Sequence, residues 1–274
     1  MTLRRFISKS MTYALASAVL LVYLVPMSLV LLNSVKSEQE ASVLSFELPE
    51  TIRFSNYLEV LSSPAVARGA INGFIVTVAV TAITVLICAL AAFVIARRPT
   101  RASSAVYMYL LSGLIAPFAF LPAIRLLQLL GLYGTYPGLV LINVAVQIPF
   151  ITLIFVGFIK QLPREIDEAA RIDGCSPIGV FFRIVFPLLK PVNFTASILL
   201  ATFAWNEFRN VLFLMPDSSK WTMPMTVYNY QGLHTYNYAL VCANLVITVL
   251  PVLAVFLLWQ KHIVSGMVSG AVRG

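Results

Sequence analysis

Charged residues are sparse in this chain, and the densest group of them follows Pro163. Glu165, Asp167, Glu168, Arg171 and Asp173 fall within nine residues, and Gly174 closes the run. Carboxylates in such a cluster invite a catalytic reading, but no partner for catalysis accompanies them. His234 and His262 are far apart and there is no H-E-x-x-H. Cys88, Cys175 and Cys242 have neither metal-ligand nor redox spacing and read as structural thiols. No G-x-x-x-x-G-K-[ST] occurs, and no G-x-G-x-x-G follows a strand pattern. The expectation is a chain without catalytic residues, metal or nucleotide site of its own. What remains for these charges is contact chemistry, charge-assisted hydrogen bonds to another protein. The energy for any work then enters from elsewhere.

The elements that carry this cluster belong in a bilayer. Of 274 residues, 59% are hydrophobic and 11% charged, and the mean hydropathy is +0.89. Soluble domains carry about 25% charged residues. About 20 apolar residues cross the hydrocarbon as a helix. Six segments qualify: Thr12–Leu32, Ile71–Ile95, Ala105–Leu127, Pro137–Ile159, Pro191–Met215 and Tyr238–Gln260. The third holds Pro117 and Pro122 and is expected to be kinked or broken. Arg4, Arg5 and Lys9 precede the first. Its apolar run exceeds a signal peptide's core and no small-residue cleavage site follows, so it reads as a retained helix.

The net charge of +8 needs no nucleic acid to explain it. With the N-terminus inside, 13 of the 19 Lys and Arg residues lie on the cytoplasmic side. That orientation places the N- and C-termini, the 160–190 loop and the 261–274 tail in the cytoplasm. The 33–70 and 216–237 loops then lie outside. Within the first outer loop, "FSNYLEVLSS" suits a short helix capped by Ser55. The second is aromatic, with Trp221, Tyr228, Tyr230 and Tyr236. It reads either as an interfacial belt or as a contact for an outer partner or a sugar.

The charged cluster itself reads as two short helices joined by a knuckle. Acidic residues in the first turns suit the helix dipole, and Gly174 supplies a left-handed stop. Ser176 caps the next helix and Pro177 opens it. Ile178, Phe181, Phe182 and Val185 recur at helical spacing and are expected to lie against the bundle or the membrane. Pro187 and Pro191 bend the chain into the fifth span. Ile166, Ala169, Ala170 and Asp173 are expected to share one face, with Glu168 and Arg171 at its rim. Small alanines leave a shallow surface that a partner's groove can approach. An amphipathic helix lying on lipid is the other reading, and its acidity argues against an anionic leaflet.

"EAARIDGCSPIGVFFRIVFPLLKP" resembles the E-A-A-x-x-D-G … I-x-x-P-x-x-x-P signature of ATP-binding-cassette importer permeases. "NGFIVTVAVT" at 72–81, "AWNEF" at 204–208 and the tail "QKHIVSGMVSGAVRG" are similar to the carbohydrate-uptake, maltose-type branch, and within it to the smaller of two paired permeases. The resemblance covers nearly the whole chain. Cys175 departs from the small residue usual at its position. The resemblance implies an all-α membrane protein with the six-helix bundle of a type I ABC importer permease. It implies a heterodimer with a second permease, two copies of a cytoplasmic ABC ATPase that hold ATP and Mg, and an external sugar-binding protein. Glu168, Ala169, Ala170, Arg171, Asp173 and Gly174 would form the coupling helix that docks in the ATPase, and the tail would reach the ATPase interface. Trp221, Tyr228 and Tyr230 would meet the binding protein.

Asn206, Glu207 and Arg209 sit in the fifth span. A charge at mid-bilayer costs at least ~2.5 kcal/mol, so it must face protein or water. Asn206 and Glu207 either line the translocation path or gate, or form a buried hydrogen-bond node. A gradient-driven transporter would need several intramembrane carboxylates and often inverted repeats. One clear intramembrane carboxylate and no convincing repeat are present.

Overall fold

The computed structural model describes residues 2–231 and 236–271, with side chains for 11–231 and 236–259. The regular structure of the described residues is helical, apart from an isolated antiparallel bridge between Gln231 and Tyr236. The helices are α1 Thr2–Asn33, α2 Glu38–Ala41, α3 Ser55–Ser62, α4 Pro64–Arg97, α5 Arg101–Ser112, α6 Phe120–Leu129, α7 Tyr136–Ile159 and α8 Glu165–Ile172. They continue as α9 Pro177–Val180, a π-helical turn Phe181–Val185, α10 Phe186–Leu188, α11 Lys190–Asn206, α12 Arg209–Leu214 and α13 Tyr238–Ala271. Two 3₁₀ segments, Ser218–Lys220 and Met223–Tyr230, precede α13.

Among the described residues, four helical stretches are long and apolar enough to cross a bilayer: Met11–Asn33, Pro64–Arg97, Tyr136–Ile159 and Tyr238–Trp259. A fifth span is available if Pro177–Leu188 and Lys190–Asn206, which meet at 77°, are counted together. The chain is thus a multi-pass, all-helical membrane protein. The third segment expected from hydropathy is two shorter helices, α5 and α6, with residues 113–119 between them. Pro117 lies in this break; it lacks a backbone N–H, and the residue before it avoids the helical region. The expected fifth segment also breaks. α11 stops at Asn206, Glu207 is extended at φ −70°, ψ 109°, and α12 resumes at Arg209.

The contacts divide the chain into two compact units. One comprises residues up to Ala67 together with Thr226–Pro251. In it, no residue of the apolar window of Met11–Asn33 is buried. The loop after α1 is well ordered around Lys36, which is 1% exposed and donates from Nζ to the Ser45 carbonyl at 2.8 Å. Asn56 Nδ2 donates to the carbonyls of Ser34 and Lys36, each at 2.9 Å, and ties α3 to the chain leaving α1. Ser55 is the first residue of α3 and not its cap. Phe54 precedes the helix without a side-chain cap bond. Asn244 Nδ2 donates to Thr226 Oγ1 at 2.9 Å, so this intramembrane amide is satisfied within its unit.

The other unit comprises Arg68–Met225 and the chain from Val252. Its core is built at helical spacing: Val85, Ala89, Ala92, Phe93 and Ala96 on α4 meet Ile151, Phe155 and Ile159 on α7. Val192, Ala196 and Leu200 of α11 complete it. Small residues on α4 allow close helix approach, the usual basis of packing where lipid removes the hydrophobic drive. Gly138 opens α7 against the turn before it. A Cβ there would stand 2.2 Å from the Leu132 carbonyl oxygen.

Candidate functional site

α8 begins at Glu165 with Glu165, Asp167 and Glu168 in its first turn and Arg171 in its last, an arrangement the helix dipole favours at both ends. It ends in a Schellman motif. The Cys175 N–H donates to the Ala170 carbonyl and the Gly174 N–H to that of Arg171, both at 3.0 Å. Gly174 sits at φ +83°, a conformation that favours glycine, and no atom lies within 4 Å of where a Cβ would be. Its requirement is one of backbone conformation, not of space. Ser176 then caps α9 by accepting from the Gly179 N–H at 3.1 Å, with Pro177 in the first turn. The knuckle is formed as its sequence indicates.

The exposed face of α8 differs from the one expected. Glu168, Ala169, Arg171, Asp173 and Gly174 are exposed. Ala170 is not. It is 4% exposed and packs into the core of its own chain, so it cannot also present a surface to a partner. Helical spacing placed Ala169 and Ala170 on a common face, but the core lies beneath only one of them. Ile172, which the sequence reading passed over, is 87% exposed among these polar neighbours. Its signal was an apolar residue three and four positions beyond Ala169 and Glu168.

The following segment anchors the knuckle. Val180, Phe181 and Val185 are buried, and Phe181 packs its ring 5.4 Å from Phe93 of α4. Ile178 and Phe182 point outward, at 71% and 45% exposure, so the segment divides between the bundle and an open apolar face.

An ion pair holds α8 from within. Arg97 Nε lies 2.7 Å from Asp167 Oδ2, and both side chains are 6% exposed. Arg97 also donates from Nη1 to the Leu162 carbonyl at 3.0 Å and from Nη2 to the Pro163 carbonyl at 3.4 Å. Neither residue was selected from the sequence. Arg97 sits in a basic run with Arg98 and Arg101, and Asp167 in an acidic one. Their pairing across 70 positions is a property of the tertiary fold.

In the break of the fifth segment, Glu207 is 8% exposed and its Oε1 accepts from the Asn210 N–H at 2.8 Å, satisfying a first-turn donor of α12. Asn210 Nδ2 donates in turn to Asn143 Oδ1 at 2.6 Å. Glu207 thus belongs to a hydrogen-bond node linking α12 to α7. Asn206 is exposed and its Nδ2 donates back to the Thr202 carbonyl at 2.8 Å. Elsewhere in this unit a largely apolar cavity of about 550 Å³ is lined by Thr77, Thr81, Phe194, Ser197, Val255 and Trp259, among others.

Trp221, Tyr228 and Tyr230 are half-buried. Trp221 Nε1 donates to the Met215 carbonyl at 3.0 Å, and the Trp221 carbonyl accepts from Asn72 Nδ2, also at 3.0 Å. Lys220 Nζ donates to the Gly134 carbonyl at 2.8 Å. Pro216–Ser219 are exposed, and two hydrogen bonds from Ser219 hold the Asp217 carboxyl below the usual carboxylate range. His234 lies outside the described residues, as do the side chains of the 261–274 tail. The backbone of that tail continues α13 as far as Ala271.

Bundled apolar helices and a glycine-stopped knuckle after α8 define an all-helical, multi-pass membrane protein. Residues 84–269 match the binding-protein-dependent transport system inner membrane component family, and the chain belongs to it. It is 32% identical to the melibiose/raffinose/stachyose import permease protein MelC of Bacillus subtilis, over 95% of each chain. It is also 32% identical to the diacetylchitobiose uptake system permease protein NgcG of Streptomyces coelicolor, over 98% of this chain and 90% of the relative. The fold is that of a bacterial ABC transporter involved in the import of the acidic polysaccharide alginate, with a TM-score of 0.79 at 19% identity over 95% of this chain and 98% of the other.

Proposed function

We propose that this chain is one of two paired membrane subunits of an ATP-driven, binding-protein-dependent importer for a carbohydrate. The observation that carries the reading is α8: an exposed, glycine-stopped helix whose far side is fixed in the core by Ala170 and the Arg97–Asp167 pair. The names of the relatives support a sugar or oligosaccharide as cargo.

In this reading α8 seats in a cleft of a cytoplasmic ATPase subunit. Glu168 and Arg171 make charge-assisted contacts at the rim, and Ile172 enters an apolar pocket. Two ATPase subunits bind ATP and Mg, close on each other and displace α8, and the bundle alternates between inward-open and outward-open states. The chain itself hydrolyses nothing. An external binding protein delivers the sugar to the outer side, where the 33–70 and 216–237 loops meet it. The chain crosses the inner membrane six times, α5 and α6 making the broken third span, with both termini in the cytoplasm. Lipid and the second permease cover apolar surface that this chain leaves open.

The test is reconstitution in liposomes. Uptake of a panel of labelled di- and oligosaccharides is expected only with the second permease, the ATPase subunits, the binding protein and ATP together. Uptake by this chain alone under a proton or sodium gradient would defeat the proposal.

A further inference from the structure

We propose that Arg97 is the positioning residue that makes the docking helix α8 and the end of α4 move as one body; this rests on the reading of α8 as the ATPase contact. Three observations carry it. The guanidinium grips three points at once: the Asp167 carboxylate in the first turn of α8, and the carbonyls of Leu162 and Pro163 in the turn that leads into it. Arg97 is the last residue of α4, so the grip joins two elements far apart in sequence. Arg98, one position on, is exposed. A basic residue needing only solvation had an alternative next door.

Energetics favour a geometric role over a stabilising one. Burying an ion pair costs desolvation that often cancels its attraction, and well-packed apolar residues serve stability as well or better. What apolar residues lack is direction. A planar fork holding a carboxylate and two carbonyls fixes both the distance and the orientation of α8 relative to α4. A lysine would keep the charge and lose the fork. α4 lines the 550 Å³ cavity with Thr77, Val78, Thr81 and Val85. A push on α8 therefore reaches a wall of that cavity through Arg97.

The experiment uses the transporter assembled in nanodiscs with its second permease and ATPase subunits. A single reporter, Val78→Cys, is placed on α4 in a chain carrying Cys88→Ala, Cys175→Ala and Cys242→Ala. Its labelling by a maleimide is timed without nucleotide and with ATP plus vanadate. With Arg97 present the nucleotide should change the labelling rate by about tenfold. In Arg97→Lys and in the double variant Arg97→Met/Asp167→Leu, which strands no charge, the response should fall below about twofold. The ATPase subunits should still copurify with both variants, and basal hydrolysis should persist. A full nucleotide response in the double variant overturns the proposal. So does a response lost only in step with loss of copurifying ATPase, since the pair would then be structural alone. If the unsubstituted chain fails to retain the ATPase, the docking reading falls first and this inference with it.

Discussion

At the scale of single residues, polar groups in this chain are used to fix local geometry. Glu207 holds the first turn of α12, Lys36 holds Ser45, and Arg97 holds α8 and the turn before it. The outer loop offers a case with a measurable pH dependence. Glu40 accepts from Ser37 Oγ at 2.6 Å, the Glu50 N–H at 2.9 Å and the Ser37 N–H at 2.8 Å. These bonds, the Ser37 hydroxyl first, lower its pKa from 4.5 to about 2. A carboxyl depressed on folding stabilises the loop fully above 4.5, and that contribution disappears as pH falls towards 2. Amide protection across 37–50, measured by hydrogen exchange and corrected for intrinsic rates, should therefore decline below pH 4.5. In Glu40→Gln the decline should be absent and protection lower at neutral pH. A protection profile identical in the two chains would show that the carboxylate does not order the loop.

At the scale of elements, two glycines illustrate two different constraints. Gly138 is closed in by the Leu132 carbonyl, whereas Gly174 has open space but a left-handed backbone. Gly138→Ala must push α7 off its preceding turn and should cost ~1–3 kcal/mol, as overpacking does. Gly174→Ala meets no clash and should cost ~1–2 kcal/mol from the left-handed conformation alone. The two should separate by assay. Thermal unfolding in detergent should report a lower midpoint for Gly138→Ala with ATPase copurification intact in the folded fraction. Gly174→Ala should keep most of its thermal stability while ATPase copurification falls, because the chain leaving α8 is re-aimed.

At the scale of the whole molecule, the decisive property is which loops face which side. Ile172 and Leu48 are both strongly exposed, at 87% and 83%. Single cysteines at these positions should react with a membrane-impermeant maleimide from opposite sides: Leu48→Cys in intact spheroplasts, Ile172→Cys only in inverted vesicles. Labelling of both from one side would overturn the proposed six-span topology, and labelling of Ile172→Cys in intact spheroplasts would remove α8 from the inner side.

The sequence by itself determined the membrane class, most of the spans, the knuckle and the family signature. These are local properties: hydropathy over a window, a glycine at a left-handed stop, a capping serine before a proline. Hydropathy gave six segments, and Pro117 and Pro122 marked Ala105–Leu127 as the one expected to break, but nothing local showed that Glu207 interrupts the fifth. Whether a proline or a carboxylate breaks a helix depends on who satisfies the freed backbone groups. Helical spacing found α8 but not its outward side. Ala169 and Ala170 are alike in sequence, and only the core beneath Ala170 tells them apart. The tertiary structure alone joined Arg97 to Asp167, and Asn143 to Asn210. Buried polar partners are set by the packing of helices distant in sequence, and no local pattern encodes which basic residue of a run will face inward.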